Sequence, residues 1–189
     1  MHSTKCKWWY ATWTLPMIAY YKVCGVSFHG ISFFGGFSYI SHYRGSMIDI
    51  GKRCRFMSKQ IGNLLGINHR CILATYNTNA ILKIGDGCSF SGVSIWCFDH
   101  IIIGNRVRVG ANCIIMDGDA HQDDLRAGEN SPIMIEDDVW LGANVIVLKG
   151  VTIGRNSLIG AGSVVTHNIP ANVVAAGNPC RIIKEIKQS

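Results

Sequence analysis

The sequence feature that most constrains the fold is a six-residue repeat between positions 135 and 170. An aliphatic residue returns at every sixth position of this stretch, at Ile135, Leu141, Val147, Ile153, Ile159 and Val165. A period of six matches neither an amphipathic helix nor a half-buried strand. It is typical of a parallel β-helix, in which three such units make one triangular coil and stacked coils share a continuous core.

Glycine follows the repeated aliphatic residue at once in half of these units, as Gly142, Gly154 and Gly160. Glycine is the default residue where the backbone turns into the left-handed region. We therefore predict that these three glycines occupy corners with an unusual φ angle.

The repeat continues upstream with interruptions. Residues 24–47 lack a clean period and predict an irregular first coil, and residues 57–83 lose the register, which predicts a loop or irregular coil. The period returns at Ile84, with Phe90 and Trp96 as the next predicted core positions. A polar stretch at 121–134 ending in Ser-Pro marks a loop inserted between regular coils.

The 189 residues predict one all-β domain with short caps at both ends. We expect residues 1–47 to form an aromatic-rich N-terminal cap and first coil. Residues 48–180 form the β-helix, and residues 181–189 close it at the C-terminus.

The N-terminal segment has an apolar run that is too short to cross a bilayer. It is rich in Trp and Tyr and has no small-residue cleavage site. Because solenoids need caps, a lid over the first coil is the simplest interpretation. Peripheral association with a membrane surface through residues 8–21 is the alternative, since Trp and Tyr favour the headgroup region.

Charge and cysteine content limit the ligands. The net charge of +6 favours an anionic small molecule, but the 18 basic residues are scattered and no run of them predicts nucleic-acid binding. None of the eight cysteines forms a CxxC motif, and Cys54, Cys88 and Cys113 fall in repeat positions. This pattern favours small core residues in a reducing cytosol over a disulfide or zinc framework.

His121 lies where the coil breaks into the inserted loop. An imidazole at the base of a loop on a rigid scaffold suits a general base, and a solvated loop histidine is the alternative. Four aspartates surround it, at positions 117, 119, 123 and 124, but no second histidine lies at a ligand spacing. We therefore expect no metal.

Two further residue types point to a ligand. Trp140, in the first unit after the loop, is suited either to lining a pocket or to packing against the loop. Arg181 and Lys184 follow the turn at Asn178-Pro179, where they could hold phosphates or form a solvated cap.

From Ile84 to Ile183 the chain resembles a known family, the hexapeptide-repeat acyltransferases. The resemblance rests on DAHQDDLRAGENSPIMIEDDVWLGANVIVLKGVTIG, GAGSVVTHNIP and AAGNPCRII. It is most similar to the maltose and galactoside acetyltransferase type and to sugar O-acetyltransferases of polysaccharide loci. The resemblance implies a left-handed parallel β-helix, a homotrimer with sites between neighbouring prisms, and acetyl-CoA as co-substrate.

The resemblance also assigns roles to residues. It implies that His121 is catalytic, and that acetyl-CoA is bound by Trp140, by the backbone of Gly142, Ala143, Gly160 and Ala161, and by Arg181. His167 stands where relatives often carry a lysine, and Ser91–Ser94 stand where sugar acetyltransferases carry an asparagine for the acceptor.

The implied activity is direct transfer of an acetyl group from acetyl-CoA to a sugar hydroxyl in polysaccharide biosynthesis, in the cytoplasm or at the inner face of the membrane. Alternatives on the same scaffold are N-acetylation of an amino-sugar nucleotide and acetylation of serine or an antibiotic. An inactive β-helix that serves as a binding or assembly module is the non-enzymatic alternative.

Overall fold

The computed structural model describes residues 5–60, 63, 65–121 and 123–187, without the side chains of residues 5–13. The chain winds into a three-sided prism of three sheets, visiting each sheet in turn up to β18, with parallel pairing between coils. Sheet 1 contains β1 (Val26–Phe28), β4 (Met47–Ile50), β7 (Ile81–Ile84), β10 (His100–Ile103), β13 (Ile133–Ile135) and β16 (Thr152–Ile153).

The other two faces follow the same plan. Sheet 2 contains β2 (Phe33–Gly35), β5 (Arg55–Met57), β8 (Ser89–Ser91), β11 (Arg108–Ala111), β14 (Trp140–Leu141), β17 (Leu158–Ile159), β19 (Val173–Ala176) and β20 (Arg181–Glu185). Sheet 3 contains β3 (Tyr39–Ser41), β6 (Ile72–Thr75), β9 (Ser94–Cys97), β12 (Ile114–Met116), β15 (Ile146–Val147) and β18 (Val164–Val165). The prism has three edges where the chain passes from one sheet to the next. We call the edge between sheets 1 and 2 the 1/2 edge, and we name the 2/3 and 3/1 edges in the same way.

The six predicted aliphatic positions fill the core, which confirms the repeat. All of them are fully buried: Ile135, Leu141, Val147, Ile153, Ile159 and Val165. Toward the N-terminal end the same column is aromatic, with Phe34 stacked on Phe56 at 5.0 Å and Phe56 on Phe90 at 5.1 Å between ring centroids.

The prediction that the repeat glycines need a left-handed φ is wrong. Gly142, Gly154 and Gly160 have no such φ. The left-handed residue falls two positions later and recurs every six residues, at Asp138, Asn144, Gly150, Asn156 and Gly162. The repeat glycines are required by space instead, because a Cβ on Gly142 would lie 2.6 Å from the backbone nitrogen of Ala161 in the next coil.

Substitution of Gly154 by alanine tests this steric explanation. Its Cβ would lie 2.7 Å from the carbonyl carbon of Pro170, so we expect the unfolding free energy to fall by about 1–3 kcal/mol. The measurement is denaturant unfolding. The control is Gly162→Asn, which should be nearly neutral because Asn144 and Asn156 hold the same corner with φ of 56° and 57°. A larger loss at Gly162 than at Gly154 would contradict the explanation.

The first coils are more regular than the sequence indicated. Residues 24–47 contain one strand for each sheet, and β1 pairs in register with β4, as β2 does with β5. Most of residues 57–83 also join the prism through β6 and β7. Between β5 and β6 the described residues from Ser58 to Arg70 form an excursion on the 2/3 edge.

Trp96 does not occupy the core as predicted. It is 38% exposed on the outer face of sheet 3, and its neighbour Ile95 is fully buried. Between its core positions on sheets 2 and 3, the coil that contains Gly92 has one residue fewer than the next coil, which contains Asn112. The extra residue of the next coil is accommodated by a register shift between Val109 and Ala111. Because the corner at Gly92 is one residue short, the side chain of Trp96 points to the outer face and Ile95 takes the core position.

One element lies at each end of the prism. Helix α1 (Lys5–Val23) packs Ile18 and Tyr21 over the first coil, and the Tyr21 hydroxyl donates to the Ser38 carbonyl at 2.7 Å. At the other end β20 pairs antiparallel with β19 and ends sheet 2. The second half of α1 thus lies against the first coil, and the side chains of residues 8–13 lie outside the described part. Of the described cysteines, Cys24 is exposed and the others are buried in the reduced form.

Candidate active site

The structure gathers the six residues predicted to bind the cofactor along the 2/3 edge. Gly142 and Ala143 lie in the corner between β14 and β15, and Gly160 and Ala161 lie in the corresponding corner one coil further on. A Cβ on Gly160 would meet Ala176, and Ala176 is paired with Arg181 in the terminal hairpin. The edge therefore presents a continuous column from Trp140 in β14 to Arg181.

The backbone donors of these corners fall into two kinds. The N–H groups of Gly142 and Gly160 donate to the next coil, to Ile159 O and Ala175 O, each at 2.8 Å. They are part of the prism and cannot contact a ligand. The N–H groups of Ala143 and Ala161 have no acceptor among the residues that the structure describes.

The 1/2 edge shows why these two donors are open. There the residue after the corner position has its N–H bound by a side chain of the next coil: Lys52 by Asp86 at 3.0 Å, Asp86 by Asn105 at 2.9 Å and Asn105 by Asp137 at 2.8 Å. The equivalent positions on the 2/3 edge carry alanine, whose methyl group accepts nothing. Unpaired donors in a fixed array can bind a carbonyl oxygen.

Trp140 and Arg181 border this column. The Trp140 indole is 49% exposed on the outer face of sheet 2, between Arg108 and Leu158 in the strand ladder. Arg181 is exposed at the end of the same edge, and one of its guanidinium nitrogens donates to the Cys180 carbonyl at 3.0 Å. An aromatic face and a guanidinium on one edge suit a ligand with an apolar arm and phosphates.

His121 lies on a different edge. The inserted loop runs from residue 117 to 132 on the 3/1 edge, and Ile133 and Met134, predicted to belong to it, are already in β13. The His121 side chain is exposed, and its ring has no hydrogen-bond partner in the described part of the chain. Its carbonyl accepts the Asp124 N–H at 3.1 Å, which closes the turn after it.

The loop is fixed to the prism near His121. The buried Asp117 carboxylate accepts the N–H groups of Phe98 at 2.6 Å and Asp99 at 2.9 Å. Burial raises the pKa of Asp117, and these two donors oppose that rise. Further out, Asp119 pairs with Lys149 at 2.6 Å, and this contact lowers the pKa of Asp119.

Replacing Asp117 by alanine should destabilise the protein. Two buried N–H groups would lose their acceptor, so we expect the unfolding free energy to fall by about 2–5 kcal/mol. Denaturant unfolding measures this loss. Asp123→Ala in the exposed part of the same loop is the control and should change the free energy little. Equal effects of the two substitutions would contradict the anchoring role.

Two of the aspartates around His121 are held in ion pairs. Asp119 is paired with Lys149, and Asp124 with Arg126 at 2.6 Å, which lowers the pKa of Asp124 to about 2. Among residues 5–60, 63, 65–121 and 123–187, no group of three or more His, Cys, Asp or Glu side chains is arranged to hold a metal ion.

Sheet 3 separates the two parts of the candidate site. The face between the 2/3 edge and the 3/1 edge is as wide as a three-residue strand with its two corners. The two edges are therefore about 15 Å apart. One chain therefore cannot bring His121 next to Ala143 and Ala161. Both edges border the same face, so two adjacent copies can bring them together.

Sequence reasoning missed two features beside these edges. Tyr76, Trp96 and Phe98 form an aromatic cluster below the loop, with Tyr76 and Trp96 stacked at 6.2 Å between ring centroids. The described residues between β5 and β6 border an open groove on the outside of the prism, next to Tyr39 and Ile72 of sheet 3. In the sequence, the aromatic cluster was indicated by the number of aromatic residues between positions 76 and 98.

Stacked six-residue coils in three parallel sheets define the chain as a parallel β-helix of the hexapeptide class. The family described as "Bacterial transferase hexapeptide (six repeats)" matches residues 132–167, and "Hexapeptide repeat of succinyl-transferase" matches residues 100–118. The chain belongs to the hexapeptide-repeat transferase family, and its fold is the left-handed parallel β-helix.

Three individual proteins illustrate what the chain is similar to. A galactoside O-acetyltransferase of Lactococcus lactis is 51% identical over 47% of this chain and 45% of its own length. A solved maltose O-acetyltransferase from Clostridium difficile 630 is 32% identical over 85% of this chain and 71% of that chain, with a TM-score of 0.44. A variant of AntD, an N-acyltransferase from Bacillus cereus in complex with dTDP and coenzyme A, is 18% identical over 90% of this chain and 89% of that one, with a TM-score of 0.69.

The chain spans about half the length of the curated relatives it matches. The AntD likeness concerns the fold alone. What these proteins act on is therefore a property of those proteins, and the activity of this chain is inferred below.

Proposed function

We propose that the protein is an acetyl-CoA-dependent O-acetyltransferase that acts on a sugar hydroxyl in polysaccharide biosynthesis. The observation that carries the proposal is the pair of unpaired N–H groups, at Ala143 and Ala161, on an edge that also presents Trp140 and Arg181. The pantetheine arm runs along this edge with its phosphates toward Arg181. The named O-acetyltransferases among the relatives support the choice of donor and acceptor.

The complete site requires a second copy of the chain. The outer face of sheet 3 carries no charged residue in its two central ladders: Tyr39, Ile72, Ser94, Ile114, Ile146 and Val164 in one, and Ser41, Ala74, Trp96 and Met116 in the other. Sheet 1 presents Asp49 and Lys83, and sheet 2 presents Arg55 and Arg108. Sheet 3 is thus the face best suited to burial against another copy.

A homotrimer satisfies both conditions. When three prisms surround an axis parallel to their own with sheet 3 turned inward, the 3/1 edge of one copy meets the 2/3 edge of the next. His121 of one copy then faces Ala143 of its neighbour. Each of the three grooves contains one imidazole and one column of open donors.

The transfer follows from these positions. His121 accepts the proton of the acceptor hydroxyl while the oxygen attacks the thioester carbonyl carbon. The Ala143 N–H stabilises the oxyanion that forms. The carbon–sulfur bond then breaks, and the imidazolium returns its proton to the thiolate, which gives the acetyl ester and free CoA.

The test is an acceptor screen with acetyl-CoA, read by release of the free thiol. Calorimetry with acetyl-CoA is run in parallel. Thiol release that depends on a sugar hydroxyl supports the proposal. Binding without release to any acceptor, or no binding at all, favours an inactive binding or assembly module.

N-acetylation of an amino-sugar nucleotide is the second candidate, because an N-acetyltransferase is also among the curated relatives that this chain resembles. A matched pair of acceptors, glucosamine and glucose, separates the two. Transfer to the amine alone, with a product that mild alkali does not cleave, would replace the O-acetyl proposal.

We also propose that the N-terminal end contacts a membrane surface, which would place the enzyme at its inner face beside cytoplasmic acetyl-CoA. Leu15, Tyr20 and Val23 of α1 are exposed, and Phe37 and Tyr43 extend this apolar surface over the first coil. Among the described residues no helix is long and apolar enough to cross a bilayer. Co-sedimentation with anionic vesicles tests the contact, and its absence would contradict it.

A further inference from the structure

The outer face of sheet 2 carries a row of polar and charged residues that the proposed reaction leaves without a role. Arg55, Ser89 and Arg108 follow one another in a single ladder, with Arg55 opposite Ser89 and Ser89 opposite Arg108. We call these three residues the arginine stripe. The next residue of the same ladder is Trp140, which lies opposite Arg108. The stripe therefore meets the column of open donors at Trp140.

Both guanidinium groups of the stripe are exposed. In the described chain the ion pairs of arginine belong to Arg106 and Arg126, and neither Arg55 nor Arg108 forms one. Asp138 is bound by Arg106 through two contacts of 2.6 Å. These hydrogen bonds are the main cause that lowers the pKa of Asp138, and the charge of Arg108 adds to the effect without a direct bond. The two stripe guanidiniums can thus donate to a ligand.

The face that carries the stripe has no acidic residue nearby. Among the described strands of sheet 2, β2 to β19 contain no Asp or Glu, and Glu185 lies in the terminal β20. On the outer face of sheet 1, in contrast, Lys83 lies opposite Asp49. A positive face whose charge is not balanced within the face attracts an anionic partner.

The stripe is flat and long. Neighbouring strands lie about 5 Å apart, so Arg55 and Arg108 are separated by about 10 Å, and the ladder from Arg55 to Trp140 spans about 14 Å. A compact ligand needs a concave site to bury most of its surface. A ligand that contacts both arginines on this face is therefore extended and carries anionic groups at intervals.

An acidic oligosaccharide has the chemistry that this ladder can contact. Its anionic groups suit the guanidiniums, and its hydroxyl groups suit Ser89. The apolar faces of its rings suit the exposed aromatic residues at the two ends of the stripe, Phe33 opposite Arg55 and Trp140 opposite Arg108. Nucleic acid fits less well, because its binding depends on many phosphate contacts and the stripe offers two arginines.

We propose that the arginine stripe binds the glycan chain of the acceptor, and that this glycan is acidic, with carboxylate or phosphate groups in contact with Arg55 and Arg108. The inference rests on the proposed function, because it places the acceptor relative to an acetyl group at Ala143. It adds a class of acceptor, an acidic glycan, to the proposed transfer to a sugar hydroxyl.

The stripe and the column of open donors lead to the same corner from opposite sides. Trp140 comes three residues before Ala143 in the same coil, and the stripe lies in the coils before it. Arg181 lies beyond Ala143 in the other direction along sheet 2. A glycan on the stripe thus brings its end sugar to Ala143, and the sugar units bound to the stripe position the reacting hydroxyl.

The experiment measures oligosaccharide binding by fluorescence anisotropy, with end-labelled probes and the full-length protein at low ionic strength. Maltoheptaose is neutral, heptagalacturonic acid carries carboxylates, and a phosphomannan oligosaccharide carries phosphates. We expect at least one acidic probe to bind about 5- to 30-fold more tightly than maltoheptaose, because each exposed ion pair contributes modestly. This preference should shrink at high salt. The acidic probe that binds more tightly identifies the anionic group.

The variants assign the preference to the stripe. Arg55→Gln and Arg108→Gln should each reduce it, and the double variant should abolish it, because glutamine lacks the charge and the planar fork of arginine. Arg44→Gln is the matched control and should keep the parent preference, because Arg44 is exposed between β3 and β4, away from sheet 2. Thermal unfolding of each variant establishes that it is folded.

A labelled heptaglutamate peptide tests whether charge alone is sufficient, and it should bind more weakly than the acidic oligosaccharide. Four outcomes overturn the inference: equal binding of neutral and acidic oligosaccharides, an unchanged preference in the double variant, equally tight binding of heptaglutamate, or no binding of any probe. Calorimetry with acetyl-CoA separates these outcomes from failure of the proposed function. Normal acetyl-CoA binding with no role for the stripe overturns the stripe assignment alone. Absence of acetyl-CoA binding in the parent protein overturns the proposed function and, with it, the acceptor role of the stripe.

Discussion

Replacing His121 by alanine should lower kcat by about 10²- to 10⁴-fold, which is the usual contribution of a general base. The affinity for acetyl-CoA should change little, because His121 lies on the 3/1 edge and the open donors lie on the 2/3 edge. Steady-state kinetics by thiol release and calorimetry with acetyl-CoA measure the two quantities. A joint loss of turnover and of acetyl-CoA affinity would indicate a structural role instead.

The control for this substitution is His29→Ala. His29 is exposed, its ring bonds Asp49 at 2.7 Å, and it lies outside both edges of the candidate site. This variant should retain the parent kcat. Unchanged turnover in His121→Ala would remove this residue from the mechanism.

Replacing Ile114 by glutamate should abolish both the proposed trimer and the activity while the prism stays folded. Ile114 is 36% exposed at the centre of the outer face of sheet 3, so a carboxylate is tolerated in water but not against a second copy. Light scattering should give the mass of one chain, and thiol release should fall to background. Ile102→Glu, on the outer face of sheet 1, is the matched control and should remain trimeric and active.

Mixed trimers test whether the site is shared. His121→Ala and Ala143→Trp each inactivate a different half of the groove, so each alone should be inactive. Co-expression of the two should restore part of the activity, since some grooves combine an intact His121 with an intact 2/3 edge. Activity in a monomeric Ile114→Glu protein, or no recovery in mixed trimers, would show that one chain holds the whole site.

The sequence predicted the parts of the molecule that depend on burial. The six-residue period placed Ile135 through Val165 in the core because an aliphatic side chain has one favourable environment in a stacked coil. The break in the period located the loop that begins beside His121. The position of Trp96 was wrong because a corner shortened by one residue reverses which side chain faces inward.

The repeat glycines were also placed correctly but for the wrong reason. Composition alone cannot separate a glycine needed for φ from a glycine needed for space. At Gly142 the distance to the next coil decided the question.

The sequence by itself determined the coil, its core and the residues available for chemistry. The tertiary structure decided which edge each of them occupies. The edge on which a residue lies cannot be found by counting six-residue units along the sequence. Two excursions and one shortened corner change the number of residues per coil between the first coil and the last. The structure also decided that Ala143 and Ala161 keep open N–H groups and Gly142 and Gly160 do not, because a hydrogen bond between coils depends on which side chain stacks above each corner.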